Sequence, residues 1–187
     1  MVTALPKDQR RAAVKCLEPL LKVVDRKNVW VVRGPGFHDG LAGMDAVAIG
    51  ETIGAREWED GQSAGWVLWL EHQGKLFHFT HHINPSSVYP QTPMMRQMTE
   101  AKINFVDNGF PIPDVQVRSH VHNFNVATDG EGRWLFTTPC FQLRSEYSVK
   151  KIPMSVPDIG ALMLWVEGDE IRWQSVRYPL AKPKINR

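Results

Sequence analysis

The order of helical and extended segments is the feature that most constrains the fold of this chain. Amphipathic patterns predict helices over residues 8–24, 44–53 and 95–106, and short apolar runs between and after them predict strands. Strands that alternate with helices early in a chain and follow one another later are typical of an α/β domain with a mixed sheet. We therefore predict an α/β fold with mixed β-sheets flanked by helices, built as a single domain over residues 1–187.

Histidines gather where the predicted strands end. Five of the seven histidines fall in three clusters: His38 with Asp39, His81 with His82, and His120 with His122. The first lies in a loop bounded by glycines, and the other two follow apolar strands. Loops after strand ends converge, and neutral imidazoles bind Mn, Fe, Zn or Ni. On an extended segment, both histidines of the third cluster project to one side. The pattern predicts a divalent metal site; the competing interpretation is ordinary core and surface histidines.

Taken in order, these clusters resemble the later motifs of calcineurin-like metallophosphoesterases. The similarity is to phage- and prophage-type members, in which a strand runs into Arg-Gly-x-x-x-His. The corresponding stretches here are Val-Trp-Val-Val-Arg-Gly before His38, Phe-Thr-His81-His82, and Ser-His120-Val-His122. Thr138–Gln142 and Pro157–Gly160 also look like those members. The resemblance covers most of the chain and implies a metallophosphoesterase-like sandwich.

The resemblance implies a two-metal site that hydrolyses phosphomonoesters or phosphodiesters with metal-bound hydroxide. By position, His38 corresponds to the histidine that assists the leaving group or stabilises the transition state. His81 and His120 would bind one metal and His122 the other. His82 is the less favoured alternative to His81, and Asp39 is a less favoured candidate to substitute in part for the bridging carboxylate of that family.

Two motifs of that family are absent upstream of His38. The family begins with a strand that carries Asp-x-His and a later Gly-Asp, which supply further ligands and the bridging carboxylate. Phe37 also stands where the family has the Asn of its Gly-Asn-His loop. We therefore expect a domain that is incomplete at its N-terminus: a fragment, one product of a split gene, or a degenerate relative. A separate N-terminal chain could supply the missing ligands; otherwise a single metal on His81, His120 and His122 is expected.

Substrate and partner predictions follow from the same comparison. Arg118, at the end of the strand before His120, is a candidate contact for a substrate phosphate, although solvated surface arginines are common. The substrate class could be a nucleotide, a nucleic acid or a small diester. The rival function is a non-catalytic interaction or structural protein that keeps the fold and covers an exposed sheet edge by oligomerising or by binding a partner. A small all-β metal protein of cupin type is disfavoured by the predicted helices.

Composition excludes several other classes. The net charge is +2, from 22 basic and 20 acidic residues, which does not indicate nucleic-acid binding by itself. No apolar run is long enough to span a membrane, and no signal-peptide pattern is present. Two distant cysteines do not suggest a disulfide framework. We expect a cytoplasmic protein, which could be viral in a bacterial host, with a short basic tail at about 179–187.

Overall fold

The computed structural model describes residues 5–36, 40–83, 89–143 and 156–180. It contains three helices, α1 (Pro6–Leu21), α2 (Met44–Ile53) and α3 (Gln91–Asp107). The strands are β1 (Val67–His72), β2 (Lys75–Thr80), β3 (Val115–Arg118), β4 (Asn125–Thr128), β5 (Trp134–Thr137), β6 (Ile159–Glu167) and β7 (Glu170–Tyr178). The chain divides into two compact units, Met1–Trp69 with Phe79–His82, and Leu70–His78 with Ile83–Arg187. The single-domain assignment stays a prediction.

The first unit is built around the pairing of α1 with α2. The predicted helix over 8–24 begins two residues earlier, at Pro6, because a proline at the first helical positions lacks only an N–H that the helix would leave unpaired. Pro19 lies inside α1 and does not end it. Helix α2 has the predicted bounds and buries Ala46 and Val47 against Ala64.

One predicted strand of the first unit is wrong. Within residues 29–32, only Val32 makes a β-bridge, in parallel orientation to Gly65. The main-chain N–H of Arg33 donates to the Gly65 carbonyl at 2.8 Å, and the Gly65 N–H donates to Val31 at 3.0 Å. Gly65 admits no side chain, because a Cβ there would come within 2.2 Å of the Trp58 ring. The apolar run therefore packs against a loop and does not continue a sheet ladder.

A mixed five-stranded sheet has the strand order β1-β2-β3-β5-β4. Strands β3 and β5 are parallel, with Val117 opposite Phe136, whereas β4 and β5 are antiparallel. Helix α3 packs against this sheet through Met94 and Met98, which join Ile83, Ala127 and Leu135 in one buried cluster. The predicted α/β class with a mixed sheet flanked by helices is thereby confirmed.

Two tight turns connect the antiparallel hairpins. Gln73 and Gly74 join β1 to β2 with φ angles of 50° and 75°, the positive values that a two-residue type I′ turn requires at both positions. Gly168 and Asp169 join β6 to β7, whose register runs from Glu167 opposite Glu170. In the sequence, a glycine between two apolar runs marks each of these turns.

An aromatic cluster lies in the second unit. The ring centroids of Phe124 and Phe136 lie 5.3 and 5.9 Å from that of Trp173, and Trp134 stacks on Phe136 at 6.0 Å. Aromatic pairs at these separations add to the stability gained from burial. The cluster joins β7 to β5 and to the segment that precedes β4.

Asp129, in the turn between β4 and β5, ties that turn to α3. Its carboxylate pairs with Lys102 at 2.8 Å and accepts the main-chain N–H groups of Glu131 and Arg133 at 2.9 and 3.2 Å. Burial alone would raise the pKa of Asp129, but the bonds from Lys102, Glu131 and Arg133 outweigh it and lower the pKa to about 2. The ionised carboxylate therefore stabilises the folded state.

Only part of the predicted C-terminal tail lies within the described residues, since 181–187 fall outside them. No helix in the described part of the chain is long and apolar enough to cross a membrane.

We predict that Asp129→Asn lowers the free energy of unfolding at pH 7 by about 1–3 kcal/mol, since the Lys102 ammonium and the main-chain N–H groups of Glu131 and Arg133 lose a charged acceptor. Because the folded pKa lies below the ordinary value near 4, this stabilisation is present above pH 4 and is lost as the pH falls towards 2. Urea unfolding at several pH values measures both effects. Glu131→Gln, whose side chain is 64% exposed, is the control and should change stability little.

Candidate functional site

The segment that carries His120 and His122 follows directly after the buried strand β3. Both residues have left-handed backbone conformations, with φ angles of 71° and 59°. The N–H of Val121, between them, donates to the Ser119 carbonyl at 2.8 Å. The segment is therefore a tight turn, whereas an extended segment was predicted. The side-chain alternation of a strand does not apply to these two histidines.

Contacts at the start of this turn fix the chain as it leaves β3. The Thr138 N–H donates to the Arg118 carbonyl at 2.8 Å, and the Ser119 and Thr138 hydroxyls are 3.1 Å apart. These bonds continue the parallel pairing of β3 with β5 by one residue beyond the strand ends.

Contacts at the end of the turn hold it from the other side. The Asp158 N–H donates to the His122 carbonyl at 2.8 Å, and the Asp158 carboxylate accepts the Phe124 N–H at 2.8 Å. The Thr137 hydroxyl donates to the Asn123 carbonyl at 2.7 Å. A non-glycine residue in the left-handed region costs about 1–3 kcal/mol and persists only where its surroundings determine it, which is common at functional sites.

The second histidine pair follows the end of β2, as predicted. The rings of His81 and His82 meet edge to face, with centroids 5.4 Å apart and planes at 87°. The Thr80 hydroxyl donates to the His82 carbonyl at 3.3 Å. His81 is partly buried and His82 is exposed, which suits His81 better to a site shielded from water.

Arg118, the predicted phosphate contact, is buried, with 1% of its surface exposed. Its Nη1 donates to the carbonyls of His78 and Val117, both at 2.9 Å. Its Nη2 donates to the Gln116 Oε1 at 2.7 Å and to the His78 Nδ1 at 2.9 Å. The guanidinium thus crosslinks β2 and β3, and a substrate contact through it stays a prediction.

Burial determines the protonation states of His78 and Arg118. Burial, and then the charge of Arg118, lower the pKa of His78 to about 3, so the imidazole is neutral at physiological pH. Burial also lowers the pKa of Arg118, to about 10, and the guanidinium remains charged at neutral pH. Because Nδ1 of His78 accepts from Arg118, its ring proton belongs on Nε2.

The predicted metal ligands are only partly accounted for. His38 and Asp39 lie outside the described residues. Within residues 5–36, 40–83, 89–143 and 156–180, no group of three or more His, Cys, Asp or Glu side chains is placed to hold a metal ion. The imidazole nitrogens of the predicted ligands suit a divalent transition metal, but the residues within these ranges do not form a complete set of ligands for it. The assignment of His81, His120 and His122 to a metal stays a prediction.

The sequence did not indicate the residues that support the turn from Ser119 to Asn123, which carries His120 and His122 and is called the histidine turn below. Thr137, Thr138 and Asp158 lie 14 to 36 positions after the residues to which they are hydrogen-bonded, and no local pattern links them. The partners of Arg118 did leave a signal. Polar residues His78 and Gln116 interrupt strands that otherwise read as apolar, which indicates a buried polar network.

Comparison with known proteins gave structural similarities only. No known protein family matches the sequence, and no curated protein matches it significantly. Vps29 from Entamoeba histolytica, complexed with Zn²⁺, has 12% identity and a TM-score of 0.41 over 74% of this chain and 78% of that chain. A double mutant of that Vps29 has 12% identity and a TM-score of 0.46 over 87% and 88%. A Thermotoga maritima protein solved by NMR has 10% identity and a TM-score of 0.38 over 71% of each chain. Similarity at this level does not assign the chain to a family.

The left-handed conformation of His122 leads to a stability prediction. His122→Val should lower the free energy of unfolding of the metal-free protein by about 1–3 kcal/mol more than His122→Gly, because a β-branched residue is disfavoured at positive φ. At His72, a strand residue of β1, the order should reverse, since Val favours strands and Gly weakens them. Urea unfolding of the four variants tests this; equal stability of the two His122 variants would show that the turn relaxes without cost.

The buried guanidinium leads to a second prediction. Arg118→Lys should lower the free energy of unfolding by about 2–4 kcal/mol, because an ammonium group cannot reach the acceptors on both strands and buried acceptors are left unpaired. Thermal and urea unfolding measure the loss. Arg96→Lys is the matched control, since the Arg96 side chain is 72% exposed, and its stability should stay near that of the unaltered protein.

Proposed function

We propose that this protein is a metal-dependent phosphoesterase that hydrolyses phosphate monoesters or diesters. The observation that carries the proposal is the turn after β3. Two histidines separated by one residue are both held in a costly left-handed conformation by hydrogen bonds at each end. A core or surface histidine pair has no need of such a backbone. The ordered resemblance to metallophosphoesterase motifs supports the same assignment.

In this proposal the histidines divide the chemical roles. His81, His120 and His122 supply nitrogen ligands, and His38 gives a proton to the leaving oxygen or stabilises the charge that develops on it. A bound divalent metal (Mn, Fe, Zn or Ni, as one or two ions) supplies hydroxide at neutral pH and neutralises charge on the phosphoryl oxygens. Residues beyond the described ranges, or a partner chain, complete the coordination.

Several finer assignments belong to the proposal. The substrate is a phosphate ester, with nucleotides and nucleic acid as the classes to test. A cytoplasmic location, a phage origin, and assembly as a homo-oligomer or with a separate N-terminal chain are the expectations that accompany it.

A non-catalytic interaction protein is the second candidate. The observation that favours it is the lack of three clustered ligands within the described residues. In that case the histidine turn would be a structural remnant, and the protein would act through a partner.

Metal content and turnover separate the two functions. Elemental analysis of the purified protein, followed by hydrolysis of an aryl phosphodiester and an aryl phosphomonoester with Mn²⁺, measures both. We expect bound metal, and we expect His120→Asn and His122→Asn to lose it and to lower turnover by about 100-fold or more, since even outer-shell partners of a metal are worth 10–100-fold. Asn tolerates left-handed backbone, so the turn is preserved.

His72→Asn is the control, because His72 is exposed at the end of β1 and is outside the proposed ligand set. Unchanged metal content in His120→Asn would contradict the proposed ligands. The protein should also be assayed together with any chain that co-purifies with it. If metal is bound but neither ester is hydrolysed, with or without that chain, the non-catalytic function is favoured.

A further inference from the structure

The two longest strands of the described chain, β6 and β7, form a two-stranded sheet of their own. Each has nine residues, and within the described ranges the bridge that joins this sheet to another segment runs from Ile159 of β6 to Cys140. The outer edge of β7 therefore has no strand beside it in that part of the chain. Such an edge presents a row of main-chain N–H and C=O groups to a further strand.

The edge of β7 lacks the features that usually prevent strand pairing. The segment from Glu170 to Tyr178 contains no proline and no lysine, and its unbroken register with β6 leaves no bulge. Arg172, a charged residue of this strand, is engaged by Glu167 of its own hairpin at 2.9 Å. A long edge without protection of this kind pairs readily with another strand.

One face of the hairpin is exposed and carries large apolar side chains. Trp173 marks the inner face, because its ring packs in the aromatic cluster. Met163, Trp165 and Tyr178 lie on the opposite face and are 44%, 40% and 59% exposed. Methionine, tryptophan and tyrosine are enriched in protein interfaces. A strand added beside β7 would therefore extend a surface whose composition already suits an interface.

The turn between β6 and β7 determines which main-chain groups face the outer edge. A two-residue turn closes on a hydrogen-bonded pair, here Glu167 and Glu170, and such pairs recur at every second residue of an antiparallel ladder. The N–H and C=O groups of the residues between those pairs point away from β6. In β7 these residues are Ile171, Trp173, Ser175 and Arg177.

We propose that two copies of this protein dimerise by antiparallel pairing of their β7 strands about a two-fold axis. The axis sets one outward-bonding residue opposite its own copy, and axes at Trp173 and at Ser175 give equal overlap of the strands. The axis at Trp173 also brings Asp169 of each copy beside Arg177 of the other. Opposite charges that meet across an interface fix its register, so we assign the axis to Trp173.

The two charged residues are available for this contact. The Asp169 side chain is fully exposed and that of Arg177 is 54% exposed, and their partners within the chain, Lys75 and Asp158, lie 3.6 Å away in each case. The inference gives a surface and a register to the expected homo-oligomer. It holds whether or not the protein hydrolyses phosphate esters.

Sedimentation equilibrium tests the dimer, over about 1 to 500 µM protein because interfaces below about 1,200 Å² are weak. Asp169→Lys alone and Arg177→Glu alone set like charges opposite each other and should weaken dimerisation by about 10-fold or more. The two variants mixed together should recover the dimer, because each cross-axis pair then joins opposite charges. Glu59→Lys, the same charge change at an exposed residue of the first unit, is the matched control and should leave dimerisation unchanged.

Urea unfolding verifies that each variant is folded before it is compared. A protein that stays monomeric over the whole range, equal effects of Asp169→Lys and Glu59→Lys, or no association in the mixture of folded variants would overturn the proposed dimer.

Cross-linking locates the axis without changing Asp169 or Arg177. In a Cys16→Ser background, needed because Cys16 is exposed, Arg172→Cys and Gln174→Cys are mixed and oxidised. An axis at Trp173 makes these positions a non-hydrogen-bonded pair with Cα atoms about 4.5 Å apart, within reach of a disulfide. The mixture should therefore form a covalent heterodimer.

Arg172→Cys mixed with Tyr178→Cys is the control for register, since these positions are opposite each other only when the axis lies at Ser175. This mixture should stay uncross-linked. A disulfide in the control mixture alone, or in neither mixture, would overturn the assigned pairing, and this readout does not depend on how well Arg177→Glu folds.

Discussion

The buried guanidinium of Arg118 is the interaction on which the arrangement of the second unit depends. Placing a charged group out of water is costly, and within the described part of the chain the hydrogen-bond acceptors of this guanidinium are the neutral groups of His78, Val117 and Gln116. In return, the buried side chain fixes the relative positions of neighbouring strands. The side chain joins β3 to β2, while the carbonyl of the same residue accepts from Thr138 beyond β5. One residue at the end of β3 therefore sets the position of its neighbours on both sides.

The shape of the turn that carries His120 and His122 depends on the fixed position of Arg118. Ser119 leaves β3 beside Thr138, and His122 is met by the main chain of Asp158. With both ends held, the residues between have few backbone conformations available, and two of them take the left-handed one. The main chain thus fixes the points at which the two imidazoles leave the turn. Such preorganisation avoids a reorganisation cost when a ligand binds.

The sequence predicts local features of this fold better than it predicts the site. The bounds of α2 and the Gln73-Gly74 turn follow from patterns within a few residues. The conformation of His120 and His122 does not, because it depends on Thr138 and Asp158, which pairing brings together from a distance. The apolar run at 29–32 shows the converse error: its composition is typical of a strand, but its bridge from Val32 to Gly65 does not extend into a ladder.

Electrostatics explains why histidines alone would bind a divalent metal more weakly than a ligand set that includes carboxylates. Three neutral imidazoles bring no negative charge to a divalent cation, and the charged Arg118 precedes His120 by two residues. The Asp158 carboxylate is already engaged, by the Phe124 N–H and by Arg177 at 3.6 Å. A dication in these surroundings gains much from carboxylate ligands, because opposite charges interact strongly where water is excluded. Three imidazoles and a water can hold one metal ion, so carboxylates such as those of the acidic motifs absent upstream of His38 would strengthen the site and would be needed to hold a second ion.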